Sequence, residues 1–136
     1  MGKRINVGIV GVGPYGFGHC MELSKTPELE GLTRLTVVYD PNKESIQKIP
    51  QLRDIKAADT FEDLLDTPGL DAVIISSPPQ FHAEQSVAAL ESGLHVFSEV
   101  PMAIKEEDIE KIVHVEETTG RVYQLGENFC FVSEVL

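Results

Sequence analysis

The hydrophobic positions of the chain form short apolar runs that alternate with longer segments of helical spacing. Six runs have the length and composition of β-strands, and they lie at residues 4–10, 35–39, 55–58, 70–76, 95–98 and 121–125. The run at 70–76 is almost unbroken, which is typical of a central strand covered on both faces. Strands and helices in alternation predict an α/β fold with a parallel sheet and right-handed crossovers.

Five helices are predicted between these strands, most of them bounded by a capping residue, a proline or a glycine. They are a helix through Phe17, Cys20, Met21 and Ser24, one at 46–52, one opened by Asp59-Thr60-Phe61-Glu62, one from Pro78-Pro79 to Gly93 and one at 105–119. In the last helix we expect Ile109, Ile112 and Val113 to face inward. Its acidic start at 106–108 complements the helix dipole.

The first strand runs into GVGPYG, in which three glycines have the spacing G-x-G-x-x-G. At a strand-to-helix turn this spacing is typical of a dinucleotide site: the first glycine allows the turn, the second admits a pyrophosphate, and the third lets the helix pack closely. The helix N-terminus favours an anion, and proline suits its first turn. The bare pattern also occurs in turns that are only tight connections. The predicted cofactor contacts are Gly11, Gly13, Pro14, Tyr15 and Gly16.

Asp40 follows the second strand, where a dinucleotide fold places an acidic residue that accepts hydrogen bonds from the adenosine ribose. A carboxylate there repels a 2′-phosphate, so NAD(H) is favoured, although nearby Lys43 partly offsets this repulsion and leaves NADP(H) open. The alternative is that Asp40-Pro41-Asn42 is simply a turn. With the glycine pattern, Asp40 indicates a doubly wound parallel sheet with strand order 3-2-1-4-5-6.

Composition narrows the class of partner. The 136 residues suffice for one domain with a hydrophobic core, and the formal net charge of −11 argues against a nucleic acid or an anionic membrane surface. A small-molecule ligand fits this charge. Cys20 and Cys130 lie far apart and form no C-x-x-C motif, which predicts reduced thiols in a cytoplasmic protein and no metal site.

The predicted fold is complete by residue 126, yet an apolar segment, NFCFVSEVL, follows at 128–136. An apolar chain end with no strand position left to fill is unusual for a finished domain. We therefore expect residues 1–126 to form a dinucleotide-binding domain and residues 127–136 to begin the connection to a further domain. An oligomer is possible, but the sequence does not determine it.

The chain resembles the N-terminal domain of the Gfo/Idh/MocA oxidoreductases, named for glucose-fructose oxidoreductase and inositol dehydrogenase. The resemblance rests on an extended pattern, G-x-G-x-x-G-x-x-H, that ends at His19, on Tyr39-Asp40-Pro41, and on Ser77-Pro78 followed by His82. It also rests on GLHVFSEVP at 93–101, which is similar to the family's G-K-H-V-x-x-E-K-P. Glu127-Asn128 begins a segment similar to the family's E-N-x-R-F.

The resemblance implies a Rossmann domain of a nicotinamide-dependent dehydrogenase, with a separate C-terminal domain that binds a sugar, polyol or related substrate. It implies that Glu99 lies near the nicotinamide ribose and Asn128 near the nicotinamide. It also implies that four residues line the cofactor cleft at the carboxyl ends of the strands: Ser76, Ser77, Pro78 and His82. We expect the chain alone, without a substrate domain, to be inactive.

Two residues depart from the family pattern. The lysine of E-K-P, which helps to position nicotinamide and substrate and assists proton transfer in the family, is Val100, and the arginine of E-N-x-R-F is Cys130. Valine cannot accept or donate a proton, so the catalytic residues stay unassigned. Either another residue supplies the proton, or the protein is a non-catalytic NAD(H)-binding sensor or regulatory module. A different Rossmann-like enzyme, such as a methyltransferase, fits the third glycine and the E-x-P stretch less well.

The histidines are titratable near neutral pH and are therefore candidates for catalysis. His82 is the strongest candidate for a ligand contact, because it lies one turn into a helix whose start faces the cleft. The other three have simpler structural interpretations: His19 as a helix packing or capping group, His95 as a satisfied strand residue and His114 as an exposed side chain on an acidic helix.

Overall fold

The structure, a computed structural model, describes residues 4–26, 29, 31–49 and 54–128. The strands are β1 (Ile5–Val10), β2 (Thr33–Tyr39), β3 (Lys56–Ala57), β4 (Ala72–Ile75), β5 (His95–Ser98) and β6 (Tyr123–Leu125). The helices are α1 (Pro14–Lys25), α2 (Lys43–Gln47), α3 (Phe61–Leu65), α4 (His82–Glu91) and α5 (Glu106–Thr119), and a 3₁₀ turn at Pro79–Phe81 precedes α4.

The six strands form one parallel sheet in the order β3-β2-β1-β4-β5-β6. The predicted α/β class and the strand order 3-2-1-4-5-6 are therefore confirmed. The register pairs Val10 with both Tyr39 and Ile75, and Ile75 with Ser98. As a result, β1, β2, β4 and β5 all end at the same edge of the sheet.

Alternate residues of the central strands face opposite sides of the sheet, and each side has its own hydrophobic core. Ile9 packs with Cys20 and Ile46 from the α1 and α2 side. Val10 packs on the other side with residues from α3, α4 and α5, including Leu64 and Leu90. The sheet is thus a middle layer that both sets of helices hold in place.

The predicted bounds of β5 match the structure, but several other elements begin or end elsewhere. β2 begins two residues before its apolar run, because Thr33 and Arg34 pair with the first two residues of β1. The helix predicted at 46–52 is wrong in its start, since α2 begins at Lys43. The Asn42 side chain accepts a hydrogen bond from the Glu44 amide and caps that helix. Residues 50–53 lie outside the described residues.

The inward face predicted for the last helix is partly wrong. Ile112 is buried as expected, together with Val115, but Ile109 is 39% exposed and Val113 is 45% exposed. The helix has two apolar stripes, and the side that meets the sheet is the one that carries Ile112 and Val115. Spacing alone does not say which of two overlapping stripes is covered.

Cys20 lies on the inner face of α1 and is fully buried. Burial away from water disfavours the thiolate and raises the pKa of the Cys20 thiol to about 11, although a backbone hydrogen bond partly opposes this effect. The thiol is therefore neutral at physiological pH, and its place in the core agrees with a structural role. Cys130 lies outside the described residues.

Candidate functional site at the carboxyl ends of the strands

The strand order reverses between β1 and β4, because β1 continues to β2 on one side while β4 continues to β5 on the other. In open parallel sheets a crevice forms at such a point, outside the carboxyl ends of the strands, and ligands bind there. The predicted site residues from Gly11 to Glu99 follow β1, β2, β4 and β5. The topology therefore brings them to one edge of the sheet.

The glycine turn between β1 and α1 fits tightly against the end of β4. Gly11 has a φ of +85°, and a Cβ atom there would lie 2.6 Å from the Ser77 backbone nitrogen. A Cβ atom at Gly16 would lie only 1.9 Å from the Gly11 carbonyl oxygen. Both positions exclude every side chain, Gly11 by its backbone conformation and by close contact, Gly16 by close contact alone.

Gly13 differs from these two glycines, because among the described residues no atom outside Gly13 and its two chain neighbours lies within 4 Å of a Cβ built at this position. Its φ of −68° and ψ of −168° are open to any residue. Contacts among the described residues do not require glycine here, so its presence is consistent with close approach of a ligand to the backbone. Pro14 begins α1 as predicted, and Tyr15 is 76% exposed beside it.

Asp40 connects the second strand to the glycine turn. Its Oδ2 accepts a hydrogen bond of 2.7 Å from the Val12 amide, and its Oδ1 accepts one of 2.7 Å from the Asn42 amide. The second bond is the turn geometry that the alternative interpretation of Asp40 required. The first spans 28 residues and a local turn does not explain it. Each carboxylate oxygen keeps a further lone pair that can accept a hydrogen bond.

Lys43 does not point freely into the cleft. Its Nζ donates a hydrogen bond of 2.9 Å to the Ala58 carbonyl oxygen and lies 3.5 Å from Asp59 Oδ1. The ammonium group also lies 6.0 Å from the centre of the Tyr39 ring. These contacts hold the cation near the end of β3.

The loop after β4 carries Ser76, Ser77 and Pro78. The Ser76 amide donates to the Val10 carbonyl, and the Ser76 hydroxyl is buried with no hydrogen-bond partner among the described residues. The Ser77 hydroxyl bonds to the Gln85 side chain. An unpartnered buried hydroxyl beside the glycine turn marks a place where a ligand or a water can bind.

His82 lies beneath this loop and is 1% exposed. Its Nε2 is 2.7 Å from the Ser77 carbonyl oxygen, and its Nδ1 is 2.8 Å from the Pro101 carbonyl oxygen. Both ring nitrogens therefore face protein atoms, and the side chain links the loop after β4 to the loop after β5. This arrangement gives His82 a supporting position under the cleft, whereas the sequence predicted a ligand contact.

Glu99 follows β5, and its amide donates to the Ile75 carbonyl. Its Oε1 lies 2.6 Å from Nε2 of His19 on α1. Sequence reasoning placed His19 as a packing or capping group and missed this contact, and the only signal was its place in the extended glycine pattern. Val100, which replaces the family lysine, is exposed beside Glu99.

Asn128, the last residue described, is exposed. The rest of the apolar tail, including Cys130, lies outside the described residues. Among the residues described, no cluster of histidine, cysteine or acidic side chains has the composition to hold a metal ion. No helix in the described part of the chain is long and apolar enough to cross a membrane.

A model of the oxidoreductase family with the NAD-binding Rossmann fold, the Gfo/Idh/MocA family, matches residues 5–127. The chain belongs to this family. The resemblance noted in the sequence is thereby confirmed, and the family that matches is one of oxidoreductases with an NAD-binding Rossmann fold.

Curated relatives have similar sequences over nearly the whole chain. A glycosyl hydrolase family 109 protein of Shewanella baltica is 32% identical over 97% of this chain and 30% of its own length. An alpha-N-acetylgalactosaminidase of Shewanella oneidensis is 31% identical over the same shares. The chain thus spans about a third of the length of the curated relatives it matches.

Solved structures of dehydrogenases have the same fold. The scyllo-inositol dehydrogenase of Lactobacillus casei, solved with NAD(H) and scyllo-inositol, is 29% identical, with a TM-score of 0.86 over 96% of this chain and 38% of that one. The myo-inositol 2-dehydrogenase of Lactobacillus plantarum has a TM-score of 0.86 at 22% identity, which shows a shared fold alone.

The contact between Gly16 and Gly11 yields a prediction about stability. Replacement of Gly16 by alanine forces the turn apart, so we expect the free energy of unfolding to fall by on the order of 1–3 kcal/mol or more. Gly18 lies on the same helix, and apart from that helix's own backbone no described atom lies within 4 Å of its Cβ position, so Gly18→Ala should stabilise the fold by roughly 0.5–1 kcal/mol. Chemical denaturation of the two variants measures both effects, and equal stabilities would contradict the close contact.

Proposed function

We propose that this chain is the NAD(H)-binding domain of an oxidoreductase that transfers a hydride between nicotinamide and a hydroxyl or carbonyl carbon of a sugar or polyol. The observation that carries the proposal is the open backbone at Gly13 between two glycines that pack tightly. Contacts among the described residues do not explain this glycine, whereas a pyrophosphate lying against its backbone would explain it. The family assignment supports the same ligand.

The residues around the cleft fit a dinucleotide. The pyrophosphate would lie over Gly13 and the N-terminus of α1, where free amide groups and the helix dipole favour an anion. The adenosine ribose would lie at Asp40, and the second nucleotide over the ends of β4 and β5. There the buried Ser76 hydroxyl, which has no partner among the described residues, is available to the ligand.

Charge around the adenosine ribose favours NAD(H) over NADP(H). The Asp40 carboxylate would repel a 2′-phosphate, and the contacts of Lys43 with Ala58 and Asp59 hold the Lys43 ammonium group near the end of β3. The sequence left NADP(H) open on account of Lys43. Its observed position supports NAD(H).

The cofactor, when bound, supplies the hydride donor or acceptor. The residues of this chain would bind and orient it, with Glu99 at the nicotinamide ribose and Asn128 near the nicotinamide. Oxidation of an alcohol also needs a base for the hydroxyl proton, and Val100 cannot serve. We assign that base to a residue outside the described part of the chain.

The substrate class is proposed from the relatives. One solved neighbour binds scyllo-inositol, and one curated relative is named for cleavage of N-acetylgalactosamine linkages, so both act on ring compounds rich in hydroxyl groups. Because the chain spans about a third of these relatives, we place the substrate residues in a further domain that follows residue 127. The non-catalytic alternative receives no support from the comparisons, since the relatives described above are enzymes by name.

Binding of NADH tests the first half of the proposal. We expect the chain to bind NADH in calorimetric titration, and Gly13→Ala to weaken binding at least about 10-fold because its methyl group occupies the space of the pyrophosphate. The thermal stability of Gly13→Ala should stay close to that of the wild type, since the added Cβ meets no described residue beyond its chain neighbours. Gly18→Ala is the control that should bind normally. Unchanged binding by Gly13→Ala would contradict the proposed pyrophosphate position.

Cofactor choice tests the role of Asp40. We expect NADPH to bind at least about 10-fold more weakly than NADH, and Asp40→Asn to narrow that difference by removal of the negative charge. Asp40→Asn should also lose stability, because the Val12 or Asn42 amide loses its acceptor. Lys43→Met is the matched control and should leave the preference unchanged. A preference for NADPH in the wild type would refute this assignment.

Turnover tests the second half of the proposal, which is hydride transfer to or from a sugar or polyol. We expect the 136-residue chain to bind NADH without oxidising any polyol. The protein that also carries the further domain should reduce NAD when given inositols or sugars, measured by the appearance of NADH absorbance. A second candidate reaction, cleavage of an N-acetylgalactosaminide, is favoured by the relatives' names and is followed in parallel by release of a chromogenic leaving group. Polyol oxidation by the 136-residue chain alone would contradict the proposal that a further domain supplies the substrate residues.

A further inference from the structure

We infer that His19 is a positioning residue for the nicotinamide half of the cofactor, and that it acts by holding the Glu99 carboxylate in place. The inference rests on the proposed function, since it concerns how the same cleft binds NAD(H). It adds a residue from the first helix to the side of the cleft at β5, across the reversal of strand order from Asp40.

The contact between the two side chains is short and partly sheltered. Nε2 of His19 lies 2.6 Å from Oε1 of Glu99, and the side chains are 20% and 22% exposed. An ionised carboxylate only accepts hydrogen bonds, so Nε2 carries the proton in this contact and Nδ1 is the other ring position. Nδ1 lies 3.8 Å from Glu22 Oε2, which is beyond hydrogen-bond distance. Glu99 is thus the partner that His19 engages by a hydrogen bond.

The His19 ring is held from a second direction by Phe97. The two rings meet edge to face, with centroids 5.9 Å apart. Phe97 in turn packs against Gly126, where a Cβ atom would lie 2.6 Å from the Phe97 ring. β5 and the end of β6 therefore fix the ring, and the ring fixes the carboxylate. Through these contacts the folded domain sets the orientation of the Glu99 carboxylate before any ligand binds.

The held carboxylate keeps one oxygen available. Among the described residues, Glu99 Oε2 has no hydrogen-bond partner, while Oε1 is committed to His19. Glu99 lies at the end of β5, and Asp40 lies at the end of β2, on the opposite side of the point where the strand order reverses. A dinucleotide spans such a crevice with one nucleotide on each side. With the adenosine ribose at Asp40, Oε2 of Glu99 is placed to accept from a hydroxyl of the second ribose.

Loss of the histidine would free the Glu99 side chain to rotate. A ligand would then have to order a side chain that is now ordered in advance, which corresponds to roughly a 3- to 10-fold loss of affinity. The loss should fall only on ligands that carry the second ribose. Ligands that end at the diphosphate never reach Glu99 and should bind as before.

The test compares three ligands on one set of variants. NADH, ADP-ribose and ADP are titrated into the wild type, His19→Ala, His19→Gln and Glu99→Gln. We expect His19→Ala to bind NADH and ADP-ribose about 3- to 10-fold more weakly and ADP with unchanged affinity. His19→Gln keeps an N–H donor and should restore much of the loss. Glu22→Gln, on the same helix, is the matched control and should bind all three ligands normally.

A double variant tests whether the two residues act as one unit. If His19 acts through Glu99, His19→Ala should cause no further loss in the Glu99→Gln background. Thermal unfolding of each variant identifies general damage to the fold, which would weaken ADP as well.

Three outcomes would overturn the inference, and they are distinguishable. Equal losses for ADP and NADH in His19→Ala would show a role in the fold alone, and no loss for either would show no role. Failure of the wild type to bind any of the three ligands would refute the proposed function, and the inference with it. Binding of NADH by the wild type with an unaffected His19→Ala refutes the inference only.

Discussion

The close contact between the first strand-to-helix turn and the end of β4 is the constraint on which the candidate site depends. The Gly11 carbonyl and the start of α1 approach so closely that a single methyl group at Gly16 would overlap with backbone. Ser77 sets the same limit on the other side of Gly11. With these distances fixed, the N-terminus of α1 is aimed at the crevice where the strand order reverses. The other cleft residues are arranged around this helix N-terminus.

Polar contacts link the loops at the carboxyl ends of the strands to one another. Asp40 ties the loop after β2 to the glycine turn through the Val12 amide, and His82 ties the loop after β4 to the loop after β5. The contact between His19 and Glu99 closes the series, because it joins α1 to the end of β5. Loops from four strands are thereby linked by side chains, in a region where backbone pairing of the sheet has ended.

The fold was predictable from the sequence because local signals and topology rules agree. Six apolar runs, the glycine turn and an acidic residue after the second strand are enough to specify the sheet order. The ends of the elements were predicted less accurately. The helix α2 starts earlier than predicted, because Asn42 caps it, and β2 starts earlier, because Thr33 pairs with β1. The buried face of α5 was predicted only in part, since Ile112 is buried as expected but Ile109 and Val113 are exposed.

The positions of the candidate site residues were easier to predict than their contacts. The glycine pattern and the end of the second strand place Gly11 to Gly16 and Asp40 at one edge of the sheet, and the family resemblance adds Ser76 to Glu99. Hydrogen bonds between distant side chains leave no local trace in the sequence. His19 and Glu99 are 80 residues apart, and neither residue has a neighbour in sequence that points to the other. The two carbonyl partners of His82 are equally invisible, because backbone acceptors have no residue type.

In the proposed function the Asp40 carboxylate would have two tasks, one structural and one in cofactor choice, and this has a consequence for how such a protein changes during evolution. The group that would select the cofactor also satisfies the Val12 amide inside the glycine turn. A mutation of Asp40 that admits a 2′-phosphate therefore also removes the acceptor of the Val12 amide. The first variant on that path would have a lower free energy of unfolding. Lineages derived from this sequence should change cofactor only where a compensating acceptor for the Val12 amide arose earlier, so the order of mutations is constrained.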